Sequence, residues 1–147
     1  MFGDFEKGDK LAKELVNNNF TDYTRLFEIA LQYYFDRMYD KAIQFSQLAF
    51  SHLDTSDTGF KLNLTSFLGA CNLEKEDYEQ AHDLLKKALE IDPKDQISII
   101  NLAKVYVAQN KKTEAKMILQ QAINDVGPYD EQNKRIFIDL LEALEEK

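Results

Sequence analysis

Three pairs of alanines set the frame within which the rest of this chain has to be read. Ala81 and Ala88 recur 34 residues later as Ala115 and Ala122, and Ala42 and Ala49 carry the same seven-residue separation 39 residues upstream of Ala81. A fixed period of this size marks one supersecondary unit used repeatedly, because each unit buries its apolar face only against its neighbours. The longer first interval places a five-residue insertion between the first two units, near Asp57 to Lys61. Counting back from the first alanine of each unit makes Ile29-Ala30, Leu68-Gly69 and Leu102-Ala103 equivalent, and it pairs Tyr33 with Tyr106 and Tyr39 with Tyr78. Pro93 returns, displaced by one, as Pro128.

Inside each unit the apolar residues fall at helical intervals: Leu26, Ile29, Ala30 and Tyr33, then Ala42, Phe45 and Ala49, with the same spacing at Leu84, Leu85 and Ala88 and at Leu102, Val105 and Tyr106. Only five Gly and two Pro interrupt the 147 residues. The breaks are short and polar, at Asp36-Arg37-Met38, Glu74 to Asp77, Asp92 to Asp95, Asn110 to Lys112 and Gly127 to Asp130. Segments of about a dozen residues joined by such links predict antiparallel helix pairs. The small residues have a packing reason: Ala30, Gly69 and Ala103 late in the first helix, with Ala42, Ala81 and Ala115 in the second, let two helices approach at one height.

These positions resemble the signature of the tetratricopeptide repeat. The middle unit carries it as Leu68-Gly69, Tyr78, Ala81, Ala88 and Pro93, the next as Leu102-Ala103, Tyr106, Ala115 and Ala122, and the first as Ile29-Ala30, Tyr33, Tyr39, Ala42 and Ala49. The departures are Leu26, Thr65 and Ile99 in place of an early Trp, Asn72 where Tyr is usual, and Asp54 in place of the closing Pro; none touches the small-residue contacts. The resemblance implies an all-α fold, a right-handed α-solenoid of three helix pairs. Residues 23–56, 62–95 and 96–129 form the repeats, residues 8–18 an N-terminal helix covering the first, and residues 130–147 a C-terminal capping helix. Gly8, Ala12 and Leu15 fall at small or apolar positions of the N-terminal helix, and Ile136, Phe137, Leu140, Leu141 and Leu144 form the inner face of the cap.

The rest of the composition narrows the function. With 26 acidic against 18 basic residues and a net charge of -8, the chain lacks the cationic surface that duplex nucleic acid or an anionic membrane requires. The N-terminal residues show no basic stretch followed by an apolar run, so the expected address is the cytoplasm. Cys71 is the only cysteine, and with Ala70 and Phe67 nearby it reads as a small buried hydrophobe. His52 and His82 lie in different repeats and read as surface residues, His82 pointing outward beside Ala81. The glycines never take a phosphate-loop spacing, and the acidic run Glu74 to Glu79 lacks the alternating ligands of a calcium loop. No catalytic constellation, metal site or cofactor site is expected, and the chain is not expected to be an enzyme.

The resemblance implies that the first helices line a concave, peptide-binding face. Helical phase puts Thr24, Phe27, Glu28, Leu31, Tyr34 and Phe35 there in the first repeat. It adds Asn63, Ser66, Phe67, Ala70, Leu73 and Glu74 in the second, and Ile97, Ile100, Asn101, Lys104, Val107 and Ala108 in the third. The binding residues expected from this set are Phe27, Leu31, Tyr34, Asn63, Phe67, Ile97, Asn101 and Lys104. Phe27, Leu31 and Phe67 serve as apolar anchors, because Leu26, Ile29, Ala30 and Tyr33 already supply the packing face of their helix. Asn101 holds a ligand backbone and Lys104 an acidic side chain. Some tetratricopeptide domains clamp chaperone C-terminal carboxylates with Lys, Asn and Arg, but the corresponding positions here carry Phe27, Leu31, Phe67, Ile97 and Asn101, and apolar side chains cannot desolvate and pair a carboxylate. The expected function is a non-catalytic adaptor for a peptide segment of a partner protein. The alternatives are a dedicated chaperone similar to the repeat-containing secretion chaperones, and a self-assembling scaffold in which the N-terminal segment, with Phe2 and Phe5, docks on another copy. The packing role of the small residues makes a direct prediction: Ala81→Leu overpacks the helix pair and lowers stability by ~1–3 kcal/mol in urea unfolding.

Overall fold

The computed structural model describes residues 9, 10, 12–14, 22–127 and 130–146. Its bounded helices are α1 (Tyr23–Phe35), α2 (Tyr39–Ser51), α3 (Thr58–Glu74), α4 (Tyr78–Ile91), α5 (Gln96–Ala108), α6 (Lys112–Asp125) and α7 (Glu131–Glu145). The described N-terminal residues are helical as well, and no strand occurs among the described residues. Helices α1 and α2, α3 and α4, and α5 and α6 pack as pairs. The pairs join through α2 on α3, α4 on α5 and α3 on α5, and α7 closes on α6, giving an all-helical solenoid.

Local chemistry explains where the helices begin. Asp22, Asp57, Asp77, Asp95 and Asp130 precede α1, α3, α4, α5 and α7, and each carboxylate accepts a hydrogen bond from a first-turn N–H, as at Phe60 and Ser98, both 2.9 Å. An aspartate there satisfies an otherwise unpaired donor and places negative charge at the positive end of the helix. The five-residue insertion becomes helix: α3 starts at Thr58 rather than at residue 62 and runs for 17 residues, against 13 in α1 and α5.

Within each pair the turn is the same. Arg37, Glu76 and Asn110 take φ values of 60°, 62° and 60°, and the next residue's N–H returns to a carbonyl five residues back, Met38 to Tyr33, Asp77 to Asn72 and Lys111 to Tyr106, at 2.8–2.9 Å. This is the left-handed helix stop usually served by glycine. Non-glycine residues hold it three times over, at a local cost of about 1–2 kcal/mol each.

The core is segmented like the sequence. One cluster gathers Leu26, Ile29, Tyr33, Ala42 and Phe45 with Leu64 and Cys71 from α3; a second joins Ala81 and Leu85 to Leu102 and Val105; a third joins Ala103, Ala115 and Leu119 to Phe137 from α7. At the N-terminal end Ala12 packs into the first cluster, and the Asp9 carboxylate accepts from the Tyr33 hydroxyl at 2.7 Å and from Lys41 Nζ at 2.6 Å. Lys41 and then Tyr33 hold that carboxyl below its usual range, so the contact persists on acidification until the pH falls through the lowered value. Gly8, Leu15, Phe2 and Phe5 lie outside the described residues.

The small-residue logic is sharpest at Gly69. A β-carbon there would stand 2.7 Å from both Cγ and Cδ2 of Leu85, whose side chain is fully buried. Gly69→Ala is therefore expected to destabilise the chain although alanine is the better helix former by about 1 kcal/mol. Overpacking at ~1–3 kcal/mol outweighs the gain, and a raised melting temperature in calorimetry would contradict this account.

Candidate binding face

Helices α1 and α3 do not meet through small residues. A row of rings separates them: Tyr23 on Phe60 at 4.8 Å between centroids, Phe60 on Phe27 at 5.5 Å, Phe27 on Phe67 at 5.1 Å and Phe67 on Tyr34 at 5.4 Å, mostly edge to face. Tyr34 continues the row to Tyr39 at 5.6 Å and to Phe35 at 5.9 Å. Phe60 belongs to the additional turn of α3, so the insertion supplies one ring of the row. Phe27, Tyr34 and Phe67 are half-buried, packed against the first core cluster with their remaining surface outward, while Phe35 is 74% exposed. Leu31 is half-buried on α1, and Asn63 is exposed on α3.

Helices α3 and α5 meet differently. Ser66 and Ala70, expected on the open face, are buried in this seam, because α5 approaches closely enough to cover such small side chains. Ser98 Oγ donates to Ser66 Oγ at 3.1 Å, Ser66 Oγ donates to Asp95 Oδ2 at 3.3 Å, and the same carboxylate oxygen caps α5. Asn72, which departs from the family pattern, is buried and donates from Nδ2 to the Leu68 carbonyl at 2.8 Å, keeping its polar end inside its own helix.

The third group of expected residues lies on α5. Ile97 is 60% exposed, Asn101 is half-buried and Lys104 is exposed. Lys104 stands on the wall of an apolar cleft of 330 Å³ between α5 and α7, with Ile100, Ala103 and Val107 on one side and Leu140, Ala143 and Leu144 on the other. Asn101 stands beside this cleft rather than on its wall. The α7 residues were not foreseen as part of the face, since Leu140 and Leu144 read only as the inner side of a cap. Continuing the 34-residue phase past residue 130 makes α7 a first helix and is the signal that finds them. Ile136, expected on that inner side, is 37% exposed.

Of the remaining candidates for chemistry, His52 is exposed at the C-terminal end of α2, and Cys71 and His82 are accounted for by packing. Burial pushes the Cys71 thiol up to about 12, so it stays protonated and unreactive. His82 does not point away from the body: it is half-buried, its ring on the edge of Tyr106 at 5.7 Å, because α5 covers that side of α4. Among the described residues no group of three His, Cys, Asp or Glu is placed to hold a metal ion.

The contacts of Phe67 determine what its removal should do. With two ring partners and a place on the first core cluster, Phe67→Ala is expected to lower unfolding free energy by about 2–4 kcal/mol in urea titration, whatever its effect on a ligand. Loss of less than about 0.5 kcal/mol would make the ring a surface feature.

Residues 72–133 match the family model described as tetratricopeptide repeat. No curated protein sequence matches the chain. Among solved structures, the tetratricopeptide domain of Arabidopsis OM64 is similar at a TM-score of 0.67 and 18% identity, over 83% of this chain and 95% of that one. The Yersinia enterocolitica type III secretion translocator chaperone SycD is similar at 0.68 and 22% identity, over 84% and 83%. The Hsp90 co-chaperone Cns1 from Saccharomyces cerevisiae is similar at 0.67 and 18% identity, over 99% of this chain and 41% of that one. The chain thus carries a tetratricopeptide-repeat match over residues 72–133, and its helical fold is similar to that of these solved structures along more than four-fifths of its length.

Proposed function

We propose that this chain is a non-catalytic adaptor that binds an apolar segment of a partner protein, bearing an acidic residue, across the face formed by α1, α3, α5 and α7. The observation that carries the reading is the cleft between α5 and α7: its walls are apolar, its floor reaches Leu119, and among the described residues Lys104 is the one cation on it. An apolar cleft open at the surface gains by being covered, and a cation on its wall favours a negative charge in what covers it. The exposed Ile97 extends the apolar surface along α5, and the outer edges of Phe27, Leu31, Tyr34 and Phe67 extend it toward α1, with Asn63 between them. Asn101, one turn before Lys104, offers a donor and an acceptor to a ligand peptide unit. The cytoplasmic address belongs to this reading and fits a free, buried cysteine. No described helix is long and apolar enough to cross a membrane.

A second reading, a dedicated chaperone, rests on the likeness to a secretion translocator chaperone, which extends over most of both chains. It requires the same face and differs in having one partner instead of several.

The test uses one apolar peptide in two versions, with Glu or Gln at the charged position, titrated by fluorescence anisotropy at low and high salt. Lys104→Ala should weaken the Glu version several-fold and remove its salt dependence while leaving the Gln version unchanged. Asn101→Ala should weaken both alike, by ~1–3 kcal/mol. Val107→Asp, placing a charge on the cleft wall, should abolish binding of both. Binding that survives Val107→Asp unchanged rules the cleft out.

A further inference from the structure

We propose that the cleft between α5 and α7 takes an aromatic ring, a phenylalanine side chain of the bound partner segment that stands there as Phe67 stands between α1 and α3. The inference rests on the reading of this cleft as the binding site and adds the chemical class of the residue that fills it.

The repeat supplies the comparison. Neither α1 and α3 nor α5 and α7 approach as closely as α3 and α5 do, so each of the two outer joints leaves a space on the open face. At the first joint the chain fills the space with its own rings: α1 contributes Phe27 and Tyr34, and Phe67 of α3 meets both, at 5.1 Å and 5.4 Å between centroids. Counting 39 and then 34 residues onward carries Phe27 to Ile100 and Tyr34 to Val107, and both line the cleft. The α5 wall thus keeps the position of each ring and lacks the ring. Two periods of 34 beyond Phe67 stands Arg135, which is exposed and pairs with Asp139 along the surface of α7, Nε to Oδ1 at 2.8 Å. The wall facing Ile100 and Val107 is instead made of Leu140, Ala143 and Leu144, and none of the described residues on the cleft is aromatic. The 330 Å³ that stays open is the place of a ring that the chain provides at one joint and not at the other.

Shape and charge point to the same ligand. An aromatic side chain offers about 150–250 Å² of surface and has only two torsions to freeze, so it fills such a space at low entropic cost. A planar ring also passes between two apolar walls that a branched or puckered aliphatic group, being thicker, must force apart. Lys104 occupies the position that Leu31 holds in the first repeat, which sets an ammonium group on the same wall as Ile100 and Val107. The fitting segment therefore carries its ring beside a carboxylate.

3-Phenylpropionate is a small molecule with both features, and methyl-resolved NMR titration of the wild-type chain with it tests the inference. It should move the methyl resonances of Val107, Leu140 and Leu144 through its ring current and bind in the low millimolar range. Two acids of the same charge serve as comparisons: 3-cyclohexylpropionate, with the same number of non-hydrogen atoms, and 4-methylpentanoate, the size of a leucine side chain. Each should bind at least about fivefold more weakly. Ala143→Phe, which supplies a ring from the α7 wall, should raise the thermal unfolding midpoint and block 3-phenylpropionate. If either comparison acid binds at these methyls as tightly as 3-phenylpropionate, the inference is overturned, while the reading of the cleft as a site for an apolar, acid-bearing segment stands. If none of the three acids moves these methyls, the inference and that reading fall together. Unaltered binding of 3-phenylpropionate by a folded Ala143→Phe chain also overturns the inference, and the comparison of the three acids decides alone should that variant not fold.

Discussion

The distance between the two helices of a pair governs this molecule, and at Gly69 a single hydrogen atom sets it. Leu85 fills the space where a β-carbon would lie, and Ala30 with Ala42 and Ala103 with Ala115 occupy the corresponding heights of the other pairs, all nearly or fully buried. Interiors pack too densely to absorb a methyl group without a shift, so these small residues determine where every larger one can sit. The orientation of each first helix, and hence what its outer side presents, follows from that contact.

Because the contact depends on residue size at a fixed interval, it could be read directly from the chain. Ala42, Ala81 and Ala115 located the pairs, and the buried clusters gather the apolar residues that the 3.6-residue period selects. Ser66 and Ala70 went the other way. Phase on one helix tells which residues share a side but not which neighbour covers that side, and α5 comes closer to α3 than α1 does. The insertion was located but its shape was not, since five residues ending in Phe60-Lys61 extend a helix as readily as a link. The cleft at α7 was hidden because a terminal apolar helix reads as a cover, and only its placement beside α5 opens a gap between Val107 and Leu140.

The face that results is divided by chemistry. Toward α1 it is a shared edge of aromatic rings committed in part to holding two repeats together; toward α7 it is an apolar cleft with the Lys104 ammonium group on its wall. A ligand covering both would add to packing at one end and fill empty space at the other. Aromatic surface contributes much per residue because few rotatable bonds are frozen when it is covered. On the proposed reading the lysine would contribute selection more than affinity, since an exposed charge pair is worth about 0.2–1 kcal/mol.

The two joints between first helices also differ mechanically. Between α3 and α5 the hydroxyls of Ser66 and Ser98 and the Asp95 carboxylate form directional bonds that weaken steeply once bent. Between α1 and α3 the rings meet edge to face, an arrangement attractive over a broad span of centroid distances. One joint is a pin and the other a sliding bearing. Any bending of the stack, from thermal motion or from load, is therefore expected to concentrate at the aromatic joint, with the first repeat as a lever against the second and third.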